Sequence, residues 1–459
     1  VNEASLNNIK NNHAIVIGGS MAGLAAAKVL SKHFRRVTVI ERDQMPEGAN
    51  PHKGVPQGRH PHALLKRGEL ILDEIFPGLI ADLISKGAFH VNSGKEFELY
   101  MDGVKTPTYE SKISMLALSR PLIENTIRQH LLREPNIRFI QEVEVTGVEA
   151  DPTRTYATGI RVRGRNGVQI DTTDESLFQA DLIVDASGKE SHMPQWLESL
   201  GYSAPTESKV ACNMGYSSRI YKRPEGLTWT GFYAQPKAPH RKRGAIMLPM
   251  EGNDRLQVTL MGMAGDYAPT DEEGFKEFAR SLPEKEVYEL ISTAEPLTSI
   301  VGYRKSHNQL RNYHEMPRYL EGLIALGDAV CAFNPVFGQG MSAAAIGADT
   351  LDKALSSYQP GESEASSFAE YFQKQLIQGI SVPWQLATGE DLMWYPEQMP
   401  EMDHETRLIG QYMMQVQKAA TTNPYVMEVF YQVLHLLEAP NVFFRPDIVL
   451  QVVNEMVAA

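Results

Sequence analysis

A chain of 459 residues is long enough for two or three domains around a large buried core. Its 42% apolar and 22% charged residues are those of a globular protein, and a net charge of −12 argues against nucleic acid or an anionic membrane surface as partner. No run approaches the roughly 20 apolar residues of a membrane span. Val1 to Asn12 is polar without an apolar signal core, and two cysteines, Cys212 and Cys331, make no disulfide framework, so a reducing cytoplasm is the expected compartment.

The first element in chain order is an apolar strand, Ala14-Ile15-Val16-Ile17, running into Gly18-Gly19-Ser20-Met21-Ala22-Gly23 and a small-residue helix. A second apolar strand, Val37–Ile40, ends in Glu41 and Arg42. This strand–turn–helix–strand order is that of a dinucleotide cradle. Missing side chains at Gly18, Gly19 and Gly23 let the backbone approach a pyrophosphate, and the helix start at Ser20, Met21 and Ala22 offers free N–H groups and positive dipole. Glu41, about 20 residues past the turn, can accept the hydrogen bonds of a ribose diol, with Arg42 beside it as a further cofactor contact. Ser20 stands where G-x-G-x-x-G has its middle glycine. It is small, and its hydroxyl can itself reach a phosphate. FAD and NAD both fit this motif.

Met45 to His62 is rich in Gly, Pro and basic residues and reads as a long loop, a kind of segment that is often functional. His60 and His62 invite a metal reading, but no third ligand is near in sequence and Pro61 breaks regular geometry, so no metal site is expected. A place by the cofactor or the mouth of a pocket is the alternative to solvent exposure. Ala63–Leu83 has helical spacing, Ser114–Leu118 is strand-like, and Arg120–Leu132 is amphipathic. Between Val143 and Leu182 lie alternating β segments, with a turn at Asn166-Gly167, and the next strand ends in Asp185-Ala186-Ser187-Gly188. Strands dominate residues 203–299, notably Asn213–Tyr221, Gly244–Pro249 and Leu256–Met263, with helices at Glu272–Arg280 and Glu284–Ala294. Another apolar strand, Leu323–Leu326, ends in Gly327-Asp328, and Phe333–Gly340 is a Gly-rich turn opening a helix at Met341. Pro360–Ser367 is a polar break before a mostly helical tail. No repeat or second nucleotide fingerprint is present.

The elements Gly18–Gly23, Asp181–Gly188, Gly327-Asp328 and Phe333–Ala345 resemble, in order and spacing, the FAD-dependent monooxygenases of the p-hydroxybenzoate hydroxylase type. The resemblance implies an α/β (α+β) fold: a Rossmann-like FAD-binding domain, an inserted, mostly antiparallel β-sheet substrate domain and a helical C-terminal region. On that pattern residues 1–75, 110–190 and 300–358 form the FAD-binding domain, 76–109 and 191–299 the substrate domain, and 359–459 the helical region. It also implies FAD as cofactor, with Asp328 on the ribityl chain and Arg120 near the pyrophosphate. Pro335, Gly338, Gln339 and Gly340 would lie against the isoalloxazine, with His60 and His62 also near the flavin. Asp185, Gly327, Gly340 and Met341 complete the cofactor contacts, although this chain reads Asp-Ala-Ser-Gly where the family reads Asp-Gly.

A finer likeness lies in Lys53-Gly54-Val55-Pro56-Gln57-Gly58-Arg59-His60-Pro61-His62, Ser119-Arg120-Pro121, Gln195-Trp196-Leu197 and Phe333-Asn334-Pro335. These are similar to the bacterial branch of polyether and polyene epoxidases. The tail matches loosely, through Pro383-Trp384 and Asp391. The implied reaction is a biosynthetic epoxidation, in which a C4a-hydroperoxyflavin delivers one atom of O2 to a small apolar alkene. It needs no nucleophilic residue, and none announces itself. NAD(P)H would reduce the flavin as a transient visitor, or a separate flavin reductase would supply the electrons. Aromatic hydroxylation on the same scaffold is the main alternative. A halogenase, lacking here its Trp-x-Trp-x-Ile-Pro segment, a geranylgeranyl-reductase-like enzyme and a non-catalytic flavin-binding protein are the others.

Overall fold

The computed structural model describes residues 12–52, 54–170, 178–252, 254–361, 365–399 and 403–458. Residues 1–11 of the polar N-terminal stretch, Lys53 of the loop motif and 362–364 of the polar break lie outside them.

The opening unit is β1 (His13–Ile17), α1 (Met21–His33) and β2 (Arg36–Glu41). β1 lies at the centre of a five-stranded sheet, with β11 (Leu182–Asp185) and then β17 (Leu323–Ala325) on one side and β2 and then β8 (Ile137–Gln141) on the other. Every pairing in it is parallel. Helices cover both faces of such a sheet, which is why β1, β11 and β17 are continuous apolar runs rather than alternating ones. α1 packs against α8 (Gly340–Ser357) through small residues, Ala25 and Ala26 on one and Ala344, Ala345 and Ala348 on the other, all in the main core.

The helical spacing of Ala63–Leu83 resolves into three pieces. β3 (His62–Leu64) pairs with β7 (Ser114–Leu118), and α2 (Lys66–Ile75) is separated from α3 (Leu79–Ser85) by Pro77 and Gly78. Pro77 has no N–H to continue the helix, and Gly78 takes φ +84°. α4 (Arg120–Leu131) matches its expected span, started by Ser119, whose hydroxyl accepts the Leu122 N–H at 3.2 Å, and by Pro121 in its first turn. Asn166 and Gly167 both have positive φ, as a two-residue type I′ turn requires.

The second sheet has eight strands. Its order is β18 (Cys331–Ala332), β16 (Val301–Arg311), β12 (Glu207–Lys222), β15 (Arg255–Gly262), β14 (Arg243–Met250), β13 (Gly231–Ala234), β5 (Phe97–Met101) and β6 (Val104–Lys105). All its pairings are antiparallel except β13 with β5. β16, in the segment expected with the FAD-binding half, hydrogen-bonds along β12 from Arg311 opposite Glu207 to Val301 opposite Ser218. Conversely α5 (Met193–Ser199), expected with the substrate half, puts Met193, Trp196 and Leu197 into the dinucleotide core.

Successive residues on these strands face opposite sides. Phe232, Met247 and Val258 pack against α6 (Glu272–Arg280) and α7 (Lys285–Thr293), while Tyr216, Tyr233, Ile246 and Met261 face the other way, towards the dinucleotide half. The helical tail is α9 (Phe368–Leu392), α10 (His404–Ala420), α11 (Pro424–Leu434) and α12 (Pro446–Ala458). α9 begins in the dinucleotide core with Phe368, Phe372 and Leu376 and ends at the second sheet. Val426, Met427 and Ile448 pack with Phe97, Leu99 and Met115. Among the described residues no helix is long and apolar enough to cross a membrane.

Phe275, 1% exposed, anchors α6 on the face of the sheet away from the dinucleotide half. Phe275→Ala is expected to cost about 3–5 kcal/mol in urea unfolding while leaving the cofactor content of the folded protein unchanged.

Candidate cofactor and substrate site

At Gly18 φ is +106°, and its N–H donates to the Ile40 carbonyl at 2.8 Å, so the turn is tied to β2. A Cβ on Gly18 would collide with the Ala186 carbonyl, and one on Gly23 with the Gly18 carbonyl. Strand, turn and helix therefore approach as backbones. The Gly19 N–H donates to Glu41 Oε2 at 2.7 Å and the Asp43 N–H to Oε1 at 2.9 Å, which fixes this buried carboxylate at the mouth of the turn. Arg42 is exposed beside Asp43. Among the described residues Glu41, Asp43 and His52 bring ligand atoms within 4.8 Å of one another. The two N–H donors on Glu41 suit a sugar-binding carboxylate better than a cation ligand.

Ser20 occupies the N-cap of α1 without capping it. Its Oγ donates to Glu124 Oε1 at 2.6 Å and accepts from Arg120 Nη2 at 3.0 Å, while Arg120 Nε donates to the same Glu124 oxygen at 2.8 Å. Burial acts to raise the Glu124 pKa, but Arg120 and the Ser20 hydroxyl bring it below the ordinary value, so the pair is ionic. A guanidinium is thus fixed at the positive end of the α1 dipole, with its charge balanced by the Glu124 carboxylate. Glu124 was not among the expected residues. Its signal was the i,i+4 spacing from Arg120 on an amphipathic helix. Beside it a small pocket is lined by Gly19, Met45, His52, Pro121 and Arg128.

At the other end, Gly327 and Asp328 form a short turn after β17, and Asp328 is partly exposed on a small cavity shared with Phe333, Gly340 and Ala344. Pro335–Phe337 makes a single turn closed by Gly338 at φ +66°, and Gln339, Gly340 and Met341 open α8. No atom lies within 4 Å of a Cβ built on Gly338 or Gly340, so space is open in front of this turn. The α8 N-terminus has no side-chain cap, and Gln339 Oε1, Ser342 Oγ and His52 Nε2 are buried without partners. Two uncapped helix starts, the orphaned Gln339 and His52 atoms near them and the open space before the turn fit FAD. Asp185 sits deeper, fully buried. It accepts the Ser187 N–H at 3.0 Å, the Ser187 hydroxyl at 2.6 Å and the Ser191 hydroxyl, and burial raises its pKa.

The Val55–His62 loop lies on the inner face of the second sheet. Gln257 Nε2 donates to the Arg59 carbonyl at 2.7 Å, and His60 Nδ1 pairs with Ser218 Oγ at 2.7 Å. The His60 ring meets Tyr216 edge-on, with centroids 4.4 Å apart. Burial, helped by His62 and Arg59, pushes the His60 pKa down to about 3. His62 pairs instead with the His60 carbonyl at 2.8 Å, and burial and Arg120 push it down to about 4. Next to His60, Cys212, Met214, Tyr216, Met261 and Met263 form a cluster joined by Tyr233, Ile246, Tyr303, Trp394 and, from the turn, Val336. The glycine-rich turn and the inner face of the sheet therefore meet at an apolar, aromatic wall. No residue of that wall was nominated from the sequence.

A family profile described as an FAD binding domain matches residues 11–379. Protein Rv3254 of Mycobacterium tuberculosis is 28% identical over 432 residues, 93% of this chain and 90% of that protein. Kynurenine 3-monooxygenase of Salinispora arenicola is 23% identical over 379 residues, 76% of this chain and 74% of the relative. The crystal structure of p-nitrophenol 4-monooxygenase from Pseudomonas putida superposes with a TM-score of 0.59 at 18% identity, covering 92% of this chain and 98% of the other.

Asp328→Ala is expected to weaken FAD binding about tenfold to hundredfold in fluorescence titration, the loss of one charge-assisted hydrogen bond of about 1.5–3 kcal/mol. A second expectation concerns acid. Burial lowers His13, His62 and His435 to about 4 and His60 to about 3, from an ordinary 6.5. Between those values the unfolded chain binds protons that the fold refuses, so this contribution is present above pH 6.5 and lost as pH falls towards 4. The melting temperature should drop across that window, and His60→Gln should flatten part of the slope.

Proposed function

The chain belongs to the FAD binding domain family and is an FAD-dependent monooxygenase, and on that premise we propose that it epoxidises the carbon–carbon double bond of a small apolar molecule with one atom of O2. When bound, FAD supplies electron transfer and oxygen activation. The remaining work is done by the protein. The α1 N-terminus and Arg120 hold the pyrophosphate, Glu41 and Asp328 hold the sugar hydroxyls, and Pro335–Gly340 presents backbone to the ring. NAD(P)H, the usual reductant in this family, reaches the flavin as a visitor or is replaced by a separate flavin reductase.

The observation that carries this reading is the wall next to the turn. Methionines, tyrosines, Ile246, Val336 and Trp394 exclude water from whatever lies against them. His60, which packs edge-on against Tyr216 of this wall, has a pKa of about 3, far too low for a good base near neutral pH. A phenol substrate gains from a base that takes its proton, whereas an alkene needs none. An apolar wall whose adjoining imidazole is so poor a base therefore favours an alkene.

Aromatic hydroxylation is the second reading, favoured by the two relatives whose names carry aromatic substrates, kynurenine and p-nitrophenol. Labelled O2 with candidate alkenes and phenols separates the two. The proposal expects one labelled oxygen in an epoxide and the other in water. Labelled phenolic products with untouched alkenes would transfer the assignment to hydroxylation, and oxygen arriving from water would remove both.

A further inference from the structure

The turn in front of the flavin position is fastened from behind by a residue of the helical tail. Asp391, near the end of α9, is fully buried. Its Oδ2 accepts from Asn308 Nδ2 on β16 at 2.6 Å and from Asn334 Nδ2 at 3.1 Å, and its Oδ1 accepts from Asn334 Nδ2 at 2.8 Å. The far ends of both amides face backbone. Asn308 Oδ1 accepts the Asn334 N–H, and Asn334 Oδ1 accepts the Val336 N–H at 3.1 Å. Lys305 Nζ adds a bond to the Phe333 carbonyl. Residues 333, 334 and 336 are thus each tied down just before Gly338 and Gly340.

An amide looks nearly the same either way round, so something must decide which end faces the backbone. A carboxylate only accepts. It draws both NH2 groups towards itself and so turns both oxygens towards the two backbone N–H groups. We propose that Asp391 is a positioning residue for the flavin-facing turn, setting the orientation of the Asn308 and Asn334 amides and, through them, the place of Asn334 and Val336. This rests on FAD lying against that turn.

The arrangement is also proton-sensitive. Burial raises Asp391 to about 7, with Glu390 of the same helix adding to the rise, while Asn308, Asn334 and Lys305 oppose it. Cys212 of β12 and Tyr395, the other titratable groups facing it, are themselves raised, chiefly by burial. A protonated Asp391 would point an O–H at groups that offer it only N–H, and the turn would loosen. The stability sign is the opposite. From the ordinary 3.8 up to about 7 the fold keeps a proton that the unfolded chain releases, so this group lowers stability as pH rises through that window.

Asp391→Asn separates the two effects. It keeps the shape but sets one NH2 against another, so one amide must turn its NH2 towards a backbone N–H. In the apoprotein at pH 8, hydrogen exchange in the peptide spanning residues 331–341 should quicken about tenfold, the equivalent of one hydrogen bond. The melting temperature should hold or rise, because a buried charge is gone. In the FAD-loaded parent, the visible flavin spectrum should change with a midpoint near pH 7, and in the variant this change should be absent. Unaltered exchange and a flavin spectrum that titrates as in the parent would overturn the proposal. So would faster exchange spread over the whole second sheet with a lower melting temperature, the mark of a merely structural residue. The exchange arm needs neither flavin nor substrate, so it stands apart from the proposed epoxidation.

Discussion

The Gly18 carbonyl lies where any side chain on Gly23 would have to be, and the Ala186 carbonyl closes on Gly18 in the same way. Helix α1 can therefore begin directly above the strand ends, with its first N–H groups uncapped and facing outwards. Most of the dinucleotide half follows from that approach. It puts Glu41 within reach of the Gly19 N–H, brings Ser20 against Arg120 and Glu124, and leaves Gly327 facing Ala22 in the first turn of α1. Glu124 allows a largely buried arginine, its side chain 11% exposed, to sit at the positive end of a helix. An unpaired guanidinium there would cost several kcal/mol in desolvation.

The second sheet answers a different requirement. Its outer face is closed by α6 and α7, and its inner face packs on the helical tail at one edge and meets the glycine-rich turn at the other. That face is graded. Gln257 and Ser218, the latter paired with Thr259, engage the His60 loop, whereas Tyr216, Met261 and Ile246 cluster with Val336 of the turn. Low polarity next to the turn and hydrogen bonding at its margin are what a dry reaction with an apolar substrate asks of a protein. The helical tail is not a separate addition. α9 crosses from the dinucleotide core to the inner face of the second sheet, carrying Phe372 at one end and Asp391 and the neighbouring Trp394 at the other.

Much of this was legible in the sequence, and the reasons differ by element. Four of the parallel strands, β1, β2, β11 and β17, were plain because burial makes them nearly continuous apolar runs, whereas β8, only partly buried, was not; α6 appears over its expected residues because Asp271 caps a strongly two-sided segment. Ala63–Leu83 misled because apolar spacing is insensitive to a short strand or a break, and only Pro77-Gly78 marked the interruption. β16 was hard to assign because pairing along β12 is a long-range choice that local composition does not record. In the site, glycines and the Gly-Asp turn stood out, being small or charged at fixed spacing. Glu124 and Asn308 did not, because their roles depend on partners 104 and 83 residues away, and Asp391 stood out only as part of a loosely matching tail, its partner Asn334 lying 57 residues away.

The central claim is that the glycine turn, the α1 N-terminus and the Arg120–Glu124 pair form a seat for a pyrophosphate. Calorimetric titration of the apoprotein with FAD and with FMN, which shares the ring and ribityl chain but lacks the pyrophosphate and adenosine, tests it most directly. FAD should bind at least about tenfold to hundredfold more tightly, the difference of one or more charge-assisted hydrogen bonds. Equal affinities for the two flavins would contradict the account.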